Sequence, residues 1–364
     1  MLARRPLALP GPQERLPGSC GRYTDEVPKQ PRRITLRDIA EETGLSAAAV
    51  SYALRGLQVP PETQRRVREV ADRLGYQADP IARALASGRT GYVGVLCGSL
   101  ADVWQQDIAA ALGRRFLGVG RHALIVDASN DPELEATLAS QLADQRVDAL
   151  IVLPVDPAAA HWKEVARRTV LTSIGDGLPG AATAAEVVFD NEAGVTDALQ
   201  RLVDCGHRRI AVMTPSRPTT PDRPAEAIAH QVAQRLGLDV TLHPSPHDLD
   251  GATAVARTVL SSANPPTAFL CLADSMAYGV YAGARELGLE VPDDVSVMGF
   301  DDHPLSRLLT PPLSSYRWPA DLLVDLVVKR TVKAIDEDKL SRRKVLAPEA
   351  KPRGSVAPPR TAGR

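Results

Sequence analysis

The sequence predicts two unlike parts: a small all-α head built as a helix-turn-helix with a hinge helix behind it, and a larger α/β core of doubly wound parallel sheets in two lobes. Three observations carry this. Between Thr35 and Gly75, apolar residues recur at helical spacing in three short segments, each bounded by cap or turn residues. From Tyr92 onward, short apolar runs alternate with helical stretches, the pattern of parallel strands covered by helices. Between them lies Ala78-Asp79-Pro80-Ile81 to Gly88, one or two turns of helix too short to be stable alone in water.

In chain order, residues 1–32 hold Pro10, Pro12, Pro17 and Pro28 with Gly11, Gly18 and Gly21 and show no hydrophobic period. They are expected to be a disordered tail, which an upstream start codon would also produce. The head spans 33–78. Thr35 N-caps its first helix, with Asp38 completing a capping-box-like arrangement; Leu36, Ile39 and Ala40 share a face, and Gly44 ends it. Ser46 caps the second helix, whose inward face is Val50, Ala53 and Leu54. Pro61 opens the third, with Val67, Val70, Ala71 and Leu74 as its stripe and Gly75 as its stop. This spacing describes a helix-turn-helix, and equally a small helical bundle with no nucleic-acid role. In the hinge segment, 79–90, Asp79 is a suitable N-cap and Pro80 a suitable first helical residue.

The core is expected over 91–346. Strand-like runs are Tyr92–Leu96, Ala123–Val126, Ala149–Leu153, Val170–Ile174, Val187–Phe189, Ile210–Met213, Ala268–Leu272 and Val295–Met298. Helical stretches between them include Trp104–Leu117, Pro132–Gln145, Glu192–Cys205, Asp222–Leu236, Ala252–Leu260 and Ser275–Leu287. That number of units fits two lobes with a ligand cleft between them. The Pro- and Arg-rich residues 347–364 read as a flexible tail without a heptad zipper, so a dimer is favoured over a tetramer.

Charge and composition narrow the function classes. The net charge is −1, yet residues 31–90 hold ten arginines against seven acids, a balance of +3 that leaves −4 for the rest. Cys20, Cys97, Cys205 and Cys271 lie far apart, with neither disulfide-framework nor metal-ligand spacing, and read as reduced thiols of a cytoplasmic protein. No apolar run is long enough for a bilayer, so no membrane partner is expected. No Walker, Gly-x-Ser-x-Gly or His-Glu-x-x-His motif appears, and Gly118-Val119-Gly120 ends a helix instead of following a strand. No enzymatic activity, cofactor or metal is therefore expected.

Several motifs carry a resemblance. Ile34-Thr35-Leu36-Arg37-Asp38-Ile39-Ala40 through Gly44-Leu45-Ser46 to Val50-Ser51 is similar to the opening of the lactose-repressor (LacI/GalR) family. Tyr76 and Ala82-Arg83-Ala84-Leu85 resemble its hinge helix. Asp190-Asn191-Glu192-Ala193-Gly194 with Gly206-His207-Arg208-Arg209, and Val295–Asp302 with Pro311-Pro312-Leu313-Ser314-Ser315, resemble its middle and late signatures. The resemblance covers roughly residues 33–356, in order. It implies a homodimer on near-palindromic double-stranded operator DNA, and a core like periplasmic sugar-binding proteins that binds a small effector, a sugar or related metabolite. Lobe one would be about 91–190 plus 319–335, and lobe two about 191–318 plus the C-terminal part.

The resemblance also implies site residues. The second helix would enter the major groove, with Ala47 and Ala48 where the family places sequence-reading side chains. Alanine offers only contact with a thymine methyl, so discrimination falls on Ser51, Tyr52 and Arg55, the last to guanine or to phosphate. Thr35, Ser46 and Arg83 complete the expected DNA set with Leu85, which would wedge into the central minor-groove step or else pack against the core. The effector set is Trp104, Arg223, Asp274 and Asp301. Ala273 replaces an asparagine that commonly meets a sugar hydroxyl, and Glu226 replaces the glycine of the motif that Arg223 would belong to. A transport-type solute-binding protein would share the core but not residues 34–85.

Overall fold

A computed structural model describes residues 34–57, 59–76, 88–215 and 224–360, with the side chains of 224–226 left aside. The chain divides into two compact units, 1–79 and 80–364.

The first unit is three helices, α1 (Leu36–Thr43), α2 (Ala47–Leu54) and α3 (Pro61–Leu74). Their shared core is Ile39, Val50, Ala53, Val67, Val70 and Ala71. The backbone and hydroxyl of Thr35 both donate to Asp38 Oδ2, at 2.7 and 2.8 Å, and fix the start of α1. Gly44, at φ +68°, ends it and turns the chain into α2. Arg66 donates to the Thr43 carbonyl at 2.9 Å and ties α3 to that turn.

The second unit opens with a lobe of alternating strands and helices: β1 (Tyr92–Cys97), α4 (Val103–Leu117), β2 (His122–Asp127), α5 (Pro132–Asp144), β3 (Ala149–Val152), α6 (His161–Val165), β4 (Val170–Gly175) and β5 (Ala185–Phe189). The chain then forms the second lobe with α7 (Asn191–Asp204), β6 (Arg209–Pro215), α8 (Pro224–Leu236), β7 (Asp239–Ser245), α9 (Leu249–Leu260), β8 (Ala268–Cys271), α10 (Asp274–Glu286), β9 (Ser296–Met298) and β10 (Ser315–Arg317). It returns through α11 (Ala320–Glu337) and β11 (Lys344–Leu346) and ends beside lobe two with β12 (Glu349–Lys351). The lobe-one sheet runs β11-β5-β4-β3-β1-β2 and the lobe-two sheet β7-β6-β8-β9, every pair parallel. β3 and β8 are buried along their whole length, as strands covered on both faces must be.

Residues 347–360 are not the flexible tail expected from their composition. β12 pairs antiparallel with β10, and Ser355 is fully buried, accepting from the Ser314 amide at 2.7 Å and donating to the Val297 carbonyl at 2.6 Å. Arg353 donates to the Leu313 carbonyl at 2.6 Å and pairs with buried Asp302. His207, buried, sits 2.9 Å from the Ala357 carbonyl through Nε2, so that nitrogen carries the hydrogen, and 2.9 Å from the Thr267 hydroxyl through Nδ1. Prolines and arginines are compatible with order here because the segment is anchored through side chains and one short ladder. Among the described residues no helix is long and apolar enough to cross a membrane.

Candidate functional site

In the helical unit, the Ser46 hydroxyl accepts from the Ala49 amide at 3.1 Å and starts α2. Val50 and Ala53 point into the core; Ala48, Tyr52 and Arg55 lie four and three residues apart on an exposed face, with Ala47 and Ser51 half-buried beside it. Thr35 and Ser46 thus hold the helix starts, and the outward face of α2 offers a methyl, a phenol and a guanidinium. Residues 34–76 carry six arginines and six acids, so the excess positive charge lies in Arg32, Arg33, Arg83 and Arg89, outside the three helices. Arg83, Leu85 and Arg223 lie outside the described residues.

In the core unit, the carboxyl ends of both parallel sheets open onto one cleft, the place where such sheets form ligand sites. It encloses about 1010 Å³ counted out to its open mouth. Asp102, Trp104 and Gln105 follow β1, Asn130 follows β2, and Asp176 follows β4. Lobe two faces them with Asn191, Pro215, His247, Ala273, Phe300 and Asp301. Asp102 caps α4, accepting from the Trp104 amide at 3.0 Å, and its Oδ2 lies 3.7 Å from His247 Nδ1 on the other lobe.

The floor is aromatic. Trp104 meets Phe189 edge-on at 5.5 Å, Phe189 stacks on Trp318 at 4.1 Å, and Trp318 lies 6.1 Å from Phe300, which stacks on Tyr316 at 4.7 Å. Five of the chain's fourteen aromatic residues therefore converge where the lobes join, and they merge the two lobes' apolar cores.

Asp301 and Trp104 line this cleft; Asp274, expected as an effector contact, does not. It is fully buried, and its carboxylate accepts from the Ser306 and Ser315 hydroxyls at 2.5 and 2.6 Å and from the His303 amide at 2.9 Å. The first turn of α10 directs it beneath the 299–306 loop, and Ala273 takes the cleft position instead. Burial pushes the Asp274 carboxyl up to about 7 against the pull of those donors.

Asp301 and Asp302 have φ of +103° and +50°, a region non-glycine residues seldom occupy. The surroundings impose it: the Asp301 amide donates to the Tyr316 carbonyl at 2.7 Å, and the Asp302 amide to the Ser315 hydroxyl at 3.1 Å. The buried Asp302 carboxylate holds Arg317, through Nε at 2.7 Å, and Arg353. This lock aims Asp301 into the cleft, whose lining it shares with Trp318. Burial first, then the charges of Asp102 and Asp274, drive its proton affinity well above an ordinary carboxylate's.

Sequence reasoning missed Asp102, Gln105, Asn130, Asp176, Phe189, His247 and Trp318. A usable signal existed: Asp102, Asn130 and Asp176 each lie just beyond an apolar run, the same kind of position that Trp104 and Asp301 occupy. The scarcity of aromatics marked Phe189 and Trp318.

Residues 199–356 match the family model described as a periplasmic binding protein-like domain. The chain is 27% identical over 292 residues to catabolite control protein A of Priestia megaterium, covering 79% of this chain and 88% of that one. The lac repressor dimer bound to operator and the anti-inducer ONPF superposes with a TM-score of 0.77 at 24% identity, covering 90% of this chain and all of that one. The transcriptional regulator CelR in complex with cellobiose gives 0.63 at 23% identity, covering 89% of this chain and all of that one. In its ordered motifs, its three-helix unit and its two-lobed core, the chain is similar to these regulators and resembles the LacI/GalR family.

Proposed function

We propose that the protein is a transcriptional repressor that reads near-palindromic operator DNA as a cytoplasmic homodimer, its affinity set by a small effector in the core cleft. The observation that carries this is the pairing, in one chain, of a helix-turn-helix whose α2 exposes Ala48, Tyr52 and Arg55 with a cleft between two α/β lobes. Relatives support it: the lac repressor structure holds operator, and CelR holds cellobiose. α2 enters the major groove; Ala47 and Ala48 pack on thymine methyls and leave Ser51, Tyr52 and Arg55 to discriminate. Arg83 and Leu85 act in the minor groove, where a leucine wedge costs a few kcal/mol of unstacking, offset by contacts to the bent duplex. The end of α4 and the edge strand β2 expose Leu117, Val119 and Ile125, apolar area that a second copy would cover. An effector changes DNA affinity only by binding one arrangement of the lobes more tightly than another.

Selection of bound sequences from random duplexes by the purified full-length chain tests this. The expected outcome is an enriched near-palindrome whose affinity falls steeply with salt. No duplex binding even at low ionic strength, or a strictly monomeric protein, overturns it.

A further inference from the structure

Lobe one is polarised in charge along its strands. Its amino-terminal rim is made of the links into the strands, each with the last turn of any helix before it: 88–91 before β1, 114–121 before β2, 141–148 before β3, 162–169 before β4 and 334–343 before β11. These segments hold eleven lysines and arginines against six acids, an excess of +5. At the opposite rim, 98–106, 128–135, 153–160, 176–180 and 190–194 hold eight acids and no lysine or arginine.

Helix ends account for part of this, because acids favour a first turn and cations a last one, as at Asp131 and Arg114. They do not account for Arg89, Arg342 and Arg343, which lie in links away from any helix end. Arg146 takes φ +55°, a conformation that asparagine or glycine adopts more easily. Some of the rim's cations are used internally: Arg121 bridges Asp148 and Asp336, and Arg343 pairs with Glu186. Among the described residues, Arg114, Arg146 and Arg342 are exposed and reach no carboxylate. In the sheet order they stand before an edge strand, a middle strand and the other edge strand. Five strand spacings of about 4.8 Å make the rim about 24 Å across, the length of about seven base pairs.

The rim also lies where a duplex would be. With Leu85 in the central minor-groove step, Arg89 comes four residues later and is within about 14 Å of that step. The charge of the rim is not offset on the way, since 77–87 hold one acid, Asp79, and one arginine, Arg83. The three helices of the first unit bring six arginines and six acids and so no excess of their own.

Resting on the regulator reading, we propose that the amino-terminal rim of lobe one is a second DNA surface. Its arginines hold the operator's backbone phosphates on either side of the step that Leu85 enters, and the acidic rim keeps the cleft side of the lobe turned from the duplex.

Anisotropy titration of the full-length protein on a selected operator over a range of salt concentrations tests this. The test variant combines Arg114→Gln, Arg146→Asn and Arg342→Gln. Its operator affinity near 0.1 M salt is expected to fall about tenfold or more, and the slope of log affinity against log salt to become shallower by at least about 2, because a dimer loses six charges and each neutralised phosphate contributes about 0.9. Arg146→Asn alone suits φ +55°, so its urea midpoint should hold or rise while operator affinity falls, a combination that damage to the fold does not produce. Glutamine at Arg208, Arg235 and Arg257, exposed in lobe two, removes the same charge and should leave the slope unchanged. Rim variants with wild-type affinity and slope, or lobe-two variants with an equal effect, overturn the proposal. The two ideas stay apart: a wild type that ignores every duplex defeats the regulator reading itself, whereas operator binding indifferent to the rim removes this surface alone.

Discussion

Replacing Asp274 by alanine separates a structural carboxylate from an effector ligand. The carboxylate takes three donors, from Ser306, Ser315 and the His303 amide, all beneath the loop that presents Asp301. Orphaning a buried donor costs roughly 1–3 kcal/mol, so three at the low end amount to about 3 kcal/mol. Removing a carboxylate that burial already disfavours returns part of that, leaving a net loss of about 2–3 kcal/mol. Asp274→Asn keeps the volume and one acceptor and should cost less. All three tryptophans, Trp104, Trp162 and Trp318, lie in the core unit, so urea denaturation followed by tryptophan fluorescence reports the core alone. The alanine variant should show a lower midpoint at an unchanged slope. An unchanged midpoint with a lost effector response would refute the reasoning and return Asp274 to the ligand set. The same group sets a pH dependence. Its folded value of about 7 stands above the ordinary 3.8, so between those limits the folded protein holds a proton the unfolded chain has released. Its contribution is therefore present at acid pH and fades as pH rises towards 7, at up to about 1.4 kcal/mol per pH unit. The stability difference between the wild type and Asp274→Asn should narrow, or change sign, with that slope.

Other expectations follow the same logic. A Cβ on Gly279 of α10 would lie 2.4 Å from Ala252 Cβ and 2.6 Å from the Ala252 carbonyl carbon on α9, so Gly279→Ala should cost about 3 kcal/mol or more by denaturation. Truncation after Pro348 removes β12, Ser355 and the Arg353 partner of buried Asp302, worth about 3–5 kcal/mol for the broken pair alone, and lobe two should then lose its cooperative transition. His207 is held below its ordinary 6.5 by burial, so its contribution is present above that pH and lost as pH falls; a His207→Gln variant should flatten the acid limb of the stability curve. Leu85→Ala should weaken operator binding in gel-shift titrations at fixed salt while sparing non-specific duplex.

Much of this architecture was legible because its signals are local. The caps at Thr35 and Ser46 and the stop at Gly44 read directly as helix boundaries. The runs at Ala149–Leu153 and Ala268–Leu272 are apolar because both faces are covered. β7 escaped because it is a sheet edge: Asp239, His243 and Pro244 interrupt its pattern, and an edge strand tolerates them. β12 and the segment around Ser355 escaped because their order comes from contacts with Val297, Leu313 and Asp302, forty or more residues away in sequence. The cleft was half legible: Asp301 and Trp104 were placed by their position after strands, whereas the burial of Asp274 depends on a loop that folds over it.

The most direct test of the central claim is anisotropy titration of a selected operator at fixed salt, with and without a cleft ligand whose binding is confirmed by calorimetry. Saturating ligand is expected to change operator affinity by about fivefold or more, and Trp318→Ala, which opens the cleft floor, to abolish the change while keeping the affinity of the ligand-free protein. Equal operator affinity with the cleft empty and filled would contradict it.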